Sequence, residues 1–588
     1  MTMSTKKQVT FRPRYIAAAI AAAFGAGGAL SSGAVSALDC TGLKGLKLKD
    51  TTILEAEIRK AGPNVITGTT SIVNGAELGH FNGTIPVDVC RVRVAVKPTP
   101  VSNIISEYWL PLNNWNGRID VTGNGGTAGS LSLNSLPDPV QLGYAAASSD
   151  TGHQDNSDSR FALVTFKGFP EQVEDFAHRG YHETAKVGKE LVKAFYGKPA
   201  EYSYFAGCST GGAEALSELQ RYPDDFDGII GGAPASGYSL MWPGEVFPSW
   251  VSSTYTNPQA LITKLPALHT AVLNACDGLD GKVDGIIDDP RKCTFDPATI
   301  QCPAGTDASS CLTPDQVNAV RKIYAGFKDP TTGAQIWHPY MPGSEDQWTG
   351  HIVQDNNPPV NYFRYFVYDD PQWYYAPRTT TPPSTTDGFN MADPATVALI
   401  YAKDKYWAPV LDSINPDLTR FQKHHGKVIM YHGWKDQNIA PLHTVDYYGQ
   451  IFARGDDDDR KTSFARLFMV PGMQHCNGGP GPNTIRVTGL DQPAGLPQYR
   501  ALQVGLLSVI ADWVERGIAP DKIVAAHLNS SGVPDISRPL CPYPQQSVWT
   551  GTGSFNDPAN FVCKNPPGRH HGRGGDEDDR GRDGRGDD

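Results

Sequence analysis

Beyond about its first thirty residues, the chain lacks any apolar run long enough to cross a bilayer, so no membrane partner is expected of its body. It also lacks a surplus of positive charge. Lys and Arg total 51 against 62 Asp and Glu, a net charge of −11 with the two signs intermixed, which gives no reason to expect nucleic-acid binding. No internal repeat is present. The histidines lack metal-site spacing: His424, His425 and His432 have no second ligand at a suitable interval, so structural or surface roles are expected for them.

What the chain does have is Tyr204-Phe205-Ala206-Gly207-Cys208-Ser209-Thr210-Gly211-Gly212, a strand-like run entering a Gly-x-Ser-x-Gly turn and then a helix. This is the pattern of a nucleophile elbow, in which small neighbours leave room for a serine on a strained turn. Two later segments extend it. Lys427 to Gly433 is an apolar run of strand length, followed by a turn bearing Asp436. Arg466 to Val470 is another, closed by Pro471-Gly472, with His475 just beyond. The order Ser, Asp, His matches hydrolases whose acid and base sit on loops after late strands of a parallel sheet. His443 is closer to Asp436 in sequence but falls in what reads as the following helix.

Chemistry assigns the roles. Ser209 is a weak nucleophile until His475 takes its proton, and Asp436 holds the imidazole in the useful tautomer. The oxyanion of an acyl-enzyme pathway needs backbone donors. One expected donor is the amide of Thr210. The other is the amide of Gly125 or Gly126, in the Gly-rich run Val121 to Gly129, which otherwise serves as a tight turn.

The expected fold is an α/β-hydrolase, a doubly wound sheet with a large lid domain inserted between nucleophile and catalytic acid. The predicted layout has a signal peptide at 1–37, core at 38–233, the lid with an ion site at 234–418, core again at 419–567, and a disordered charged tail at 568–588. The signal reading rests on Lys6, Lys7, Arg12 and Arg14 ahead of an Ala- and Gly-rich apolar stretch, with Val35-Ser36-Ala37 as the cleavage site; a membrane anchor is the alternative. A secreted or periplasmic protein is expected. Helices are predicted over Val173 to Phe195 and Tyr499 to Val514. The tail is charged, Gly-rich and without apolar anchors.

Ten cysteines in an exported chain suggest five bridges. Spacing makes Cys276 with Cys293, Cys302 with Cys311 and Cys541 with Cys563 natural local pairs. Cys208 and Cys476 adjoin Ser209 and His475, so a bond between them would staple the two loops; a free buried Cys208 is the alternative.

On Gly207-Cys208-Ser209-Thr210-Gly211-Gly212, Gly433-Trp434-Lys435-Asp436 and Gly472-Met473-Gln474-His475-Cys476, the chain resembles the tannase and feruloyl esterase family, which includes mono(2-hydroxyethyl) terephthalate hydrolases. The resemblance runs from about Cys40 to Cys563. It implies a Cys208–Cys476 bridge under the triad, the local pairs above, and Cys40 with Cys90. It also implies a structural calcium in the lid, held by carboxylates of Asp277, Asp280 and Asp284 and by carbonyls of Lys282 and Ile286, with the Lys282 side chain free to point to solvent. Read from residues alone, Cys276 to Asp289 is an acidic, glycine-broken loop that suits either a hard cation or solvent, and it departs from the EF-hand in spacing. No organic cofactor is expected.

Tyr362 to Tyr375 is crowded with rings that suit an aromatic acyl pocket or core packing, and Arg364 could pair with a substrate carboxylate or with Asp369 or Asp370. The residues alone reach a serine acyl hydrolase. The resemblance implies a serine carboxylesterase acting on small esters of aromatic, hydroxybenzoic or hydroxycinnamic, acids. Terephthalate monoesters are the alternative substrate, and a catalytically silent binding protein is the alternative of another class.

Overall fold

Parallel strands covered on both faces tend to be apolar, and six strands joined by parallel pairings organise this chain. The computed structural model describes residues 37–70, 77–154, 166, 170–354, 358–376, 389–453, 462–486 and 499–566. The expected signal segment, apart from Ala37, and the expected tail lie outside the described residues. Nine strands form one mixed sheet: β1 (Thr51–Arg59), β2 (Val89–Val96), β3 (Ile104–Pro111), β4 (Arg118–Thr122), β5 (Ala145–Ser149), β6 (Tyr202–Cys208), β7 (Gly228–Gly232), β8 (Lys427–Gly433) and β9 (Ala465–Val470). Their spatial order is β1-β2-β3-β5-β4-β6-β7-β8-β9. The first four pair antiparallel, and every pairing from β5 to β9 is parallel.

Alternation along the parallel strands divides two cores. Phe205, Ile229, Val428 and Leu467 pack with helices α1 (Gly180–Tyr196) and α2 (Thr210–Arg221) on one face. On the other, Tyr204, Ile230, Ile429 and Phe468 pack with Leu506, Ile510 and Trp513. Between β7 and β8 the chain adds α3 (Tyr238–Tyr255), α4 (Leu265–Cys276), α5 (Pro314–Ala325) and α6 (Pro394–Leu411). These surround a third core that includes Trp250, Val320, Trp348, Phe363 and Trp373. The helix α7 (Pro441–Ala453) follows β8 and contains His443, as expected.

Two predicted helices differ at their ends. The first begins at Pro170 and widens into a π-turn over Asp175–Arg179 before α1, where a side chain at Gly180 would crowd Thr151. The second gives up its first turn. Tyr499–Ala501 is strand β11, paired with β10 (Thr484–Arg486), and the helix α8 runs Leu502–Arg516. These strands join β12 (Ile523–Leu528) and β13 (Pro534–Leu540) in a second, antiparallel sheet ordered β11-β10-β12-β13. Helical spacing in the sequence does not register that partner. The chain after β13 returns to the main sheet, where the Tyr543 amide donates to the Leu467 carbonyl at 2.7 Å.

Candidate active site

Ser209 stands between β6 and α2 with φ 66° and ψ −122°, a conformation that costs a non-glycine residue about 1–3 kcal/mol. Its neighbours explain how the turn closes. A β-carbon on Gly207 would overlap the Gly211 carbonyl, and one on Gly211 would lie 2.7 Å from the Asn124 carbonyl oxygen. The Ser209 amide donates to the Gly232 carbonyl at 3.0 Å, which ties the turn to the end of β7.

The Gly-rich loop after β4 is fastened to α2 at three points. The Gly211 amide donates to the Asn124 carbonyl at 2.8 Å, the Thr210 hydroxyl donates to the Gly126 carbonyl, and the Asn124 amide donates to Glu214 Oε2 at 2.9 Å. Burial pushes the Glu214 carboxyl up to about 8 despite that amide. Among the described residues, the amides of Thr210, Gly125 and Gly126 donate to no backbone carbonyl outside their own elements. The first is an orphan donor of a helix N-terminus. All three residues line one cavity with Ser209.

Asp436 is fully buried in the turn after β8. Its Oδ1 accepts from the amides of Asn438 at 2.8 Å and Ile439 at 2.9 Å. Its Oδ2 lies 2.8 Å from His475 Nδ1 and 3.0 Å from His432 Nε2. Burial alone would raise this carboxyl, but the charge of His475 and the hydrogen bonds from both histidines outweigh it and hold it well below the usual carboxylate range. His432 was expected to have a structural or surface role, and the structure gives it a structural one. Its Nε2 also faces the Ile439 carbonyl at 3.1 Å, which only a donor satisfies, and its Nδ1 meets the Thr444 hydroxyl at 2.8 Å. It is a buried strut under the acid. The signal for it was the i, i+4 interval across the turn.

Ser209 and His475 line the same cavity of about 600 Å³, with no hydrogen bond between them among the described residues. Such contacts are often long before substrate binds. Met241, Trp242 and Glu245 of α3 form part of the wall, with His351, Gln354 and Asn438. Tyr340 donates to His351 Nδ1 at 2.9 Å, and His351 Nε2 donates to Asn438 Oδ1 at 3.0 Å. Burial pushes His351 down to about 4, so this imidazole is neutral. None of these wall residues was singled out by sequence.

The aromatic run does not reach the cavity. Tyr362, Phe363 and Trp373 are buried in the third core, where Phe363 stacks on Trp373 at 4.6 Å. Arg364 donates to the Trp373 carbonyl at 3.0 Å and to Asn361 at 3.1 Å. The run supports the wall from behind, through Tyr375, whose hydroxyl accepts from the Gln354 amide at 3.1 Å.

All ten cysteines are bridged: Cys40–Cys90, Cys208–Cys476, Cys276–Cys293, Cys302–Cys311 and Cys541–Cys563. Cys208–Cys476 joins the residues next to Ser209 and His475 across 268 positions. On a chain-entropy account, closing a loop of that length removes roughly 6 kcal/mol of freedom from the unfolded chain.

The acidic loop differs from expectation in one respect. The Lys282 side chain is 1% exposed rather than solvent-facing, with Nζ 2.8 Å from Asp280 and 2.7 Å from Asp288. Asp277 accepts the amides of Asp284 at 3.3 Å, Gly285 at 2.9 Å and Ile286 at 3.2 Å. Asp284 pairs with Arg538. Two buried oxygens, Asp280 Oδ2 and Asp288 Oδ1, accept no well-aligned hydrogen bond. The oxygen donors fit a hard cation in kind, and Lys282 competes for them. Among the described residues no three acidic, histidine or cysteine side chains converge as a ready-made metal site.

Known proteins resemble this chain in sequence and in fold. A sequence-family profile described as tannase and feruloyl esterase matches residues 88–564. An uncharacterized esterase of Xanthomonas campestris pv. campestris is 34% identical, over 92% of this chain and 93% of its own length. A probable feruloyl esterase B-1 of Aspergillus terreus is 34% identical over 82% of this chain and 87% of its own. The crystal structure of feruloyl esterase B from Aspergillus oryzae superposes with a TM-score of 0.75 at 28% identity, covering 89% of this chain and 99% of that one.

Proposed function

Because the chain belongs to the tannase and feruloyl esterase family, and is a carboxylic ester hydrolase of the feruloyl esterase type, we propose that it cleaves esters of hydroxycinnamic or hydroxybenzoic acids through an acyl-enzyme on Ser209. The observation that carries this reading is the shared cavity. Ser209 and His475 line one space, and His475 Nδ1 lies 2.8 Å from a buried, ionised Asp436. With Nδ1–H donated to Asp436, the free Nε2 takes the Ser209 proton as Oγ attacks the ester carbonyl. The amides of Thr210 and of Gly125 or Gly126 stabilise the oxyanion. His475 then returns the proton to the departing alcohol, and water admitted from the cavity mouth repeats the sequence to release the acid.

Initial rates on methyl ferulate, methyl gallate, mono(2-hydroxyethyl) terephthalate and p-nitrophenyl butyrate test the substrate class. The highest kcat/KM is expected on one of the two methyl esters. Turnover confined to the butyrate would keep the esterase and discard the aromatic acyl group.

Export completes the reading. Bridging of every cysteine supports an oxidising compartment. In the loop, Asp277, Asp280 and Asp284 with the carbonyls of Lys282 and Ile286 would hold a structural calcium, once the Lys282 ammonium withdraws from Asp280. When bound, the ion would cross-link the loop and would take no part in the reaction. Chelation is expected to lower Tm by several degrees while initial rates at low temperature hold steady. An unchanged Tm in chelator would mean that Lys282 and Arg538 alone close the loop.

A further inference from the structure

Two polar groups in the wall of the catalytic cavity have no hydrogen-bond partner among the described residues. Trp242 and Glu245 sit three residues apart on α3, so they share a face, and both line the space occupied by Ser209 and His475. Trp242 is 5% exposed and its indole Nε1–H is buried with no hydrogen bond. Glu245 is 6% exposed, and its carboxyl forms no hydrogen bond or ion pair with any described residue. Burial, with the nearby charge of Asp436, pushes that carboxyl well above the usual range, which favours the protonated form, a form that can both donate and accept. Leaving such groups unpaired in a buried wall is costly, and a ligand that pairs with them recovers the cost.

The matching chemistry is a neutral hydroxyl, which accepts from the indole and exchanges a hydrogen bond with the acid. A carboxylate fits poorly. No Lys or Arg is among the described residues lining the cavity, and Arg364 is engaged with Trp373 and Asn361. Position separates the acid side of a substrate from its alcohol side. Gly125 and Asn477 are exposed at the rim, whereas Trp242 and Glu245 are more than nine-tenths buried. The departing alcohol needs the open side, which leaves the closed side to the acyl group. Resting on the aromatic-ester reading above, we propose that Trp242 and Glu245 form a specificity site that reads a phenolic hydroxyl on the acyl group.

The test compares kcat/KM for methyl p-coumarate and methyl cinnamate, which differ by that hydroxyl alone, within each protein. The ratio on one preparation does not depend on the fraction folded. Wild type is expected to favour coumarate by roughly tenfold or more, and Trp242→Phe and Glu245→Leu are each expected to cut that ratio roughly tenfold. Glu245→Gln, which still donates and accepts, should keep most of it. A ratio near one in the wild type, or a ratio unmoved by Trp242→Phe and Glu245→Leu, overturns the site while leaving the aromatic reading intact. No turnover of either ester by the wild type overturns the site, and no turnover of methyl gallate as well overturns the aromatic reading. If the substitutions instead erase a preference for glyceryl over methyl cinnamate, the hydroxyl being read belongs to the alcohol, and the assignment to the acyl group fails.

Discussion

Ser209→Ala is expected to fold like the wild type and to lose roughly 10³-fold or more in kcat on any ester the enzyme hydrolyses. The two halves of that expectation have separate causes. Stability is spared because alanine keeps the same β-carbon at φ 66°, so the strain of the turn is unchanged, and because the Cys208–Cys476 bridge does not involve the hydroxyl. Ser209 Oγ also forms no hydrogen bond with His475 whose loss would loosen the loop. Rate is lost because no other hydroxyl can occupy the same position beside the amides of Thr210 and Gly126. Activity that survives through the oxyanion donors and binding alone sets the floor. Initial rates measure the loss, and a fluorophosphonate label that reacts with the wild type and not with the variant locates the nucleophile. A variant that retained a tenth of the wild-type rate would rule out a covalent intermediate on Ser209.

The parts of this site that were legible in the sequence are those with local requirements. The elbow could be read because Gly207 and Gly211 answer a close approach that only small residues permit, as the Asn124 carbonyl beside Gly211 makes concrete. Asp436 and His475 could be read because each follows an apolar run that becomes a parallel strand. The wall was illegible for the opposite reason. Trp242 and Glu245 lie on α3, where spacing says only that one face is buried, and a face turned to a cavity has the same pattern as one turned to core. The ring-rich stretch from Tyr362 illustrates the converse, since aromatic density invites a pocket and the rings pack on one another instead. Lys282 was misjudged because a lysine in an acidic turn usually reaches water. Here its neighbours Asp280 and Asp288 are themselves half-buried, and the ammonium goes to them.

Asp436→Asn is expected to lower kcat by roughly 10³- to 10⁴-fold, a larger loss than removing one oxyanion donor would give. The geometry around the carboxylate says why. The amides of Asn438 and Ile439 hold Oδ1, so an asparagine would keep its carbonyl there and turn its NH₂ toward the histidines. Facing that donor, His475 Nδ1 must accept, which moves the ring proton to Nε2, and a protonated Nε2 cannot take the proton of Ser209. His432 is less affected, because its Nε2–H still finds the Ile439 carbonyl at 3.1 Å and its Nδ1 the Thr444 hydroxyl at 2.8 Å. The fold should therefore survive with the wrong tautomer on the base. Thermal melting alongside initial rates separates the two effects: a Tm near that of wild type with the rate lost supports tautomer control by Asp436. A rate reduced less than tenfold would mean that His475 is oriented by something other than this carboxylate.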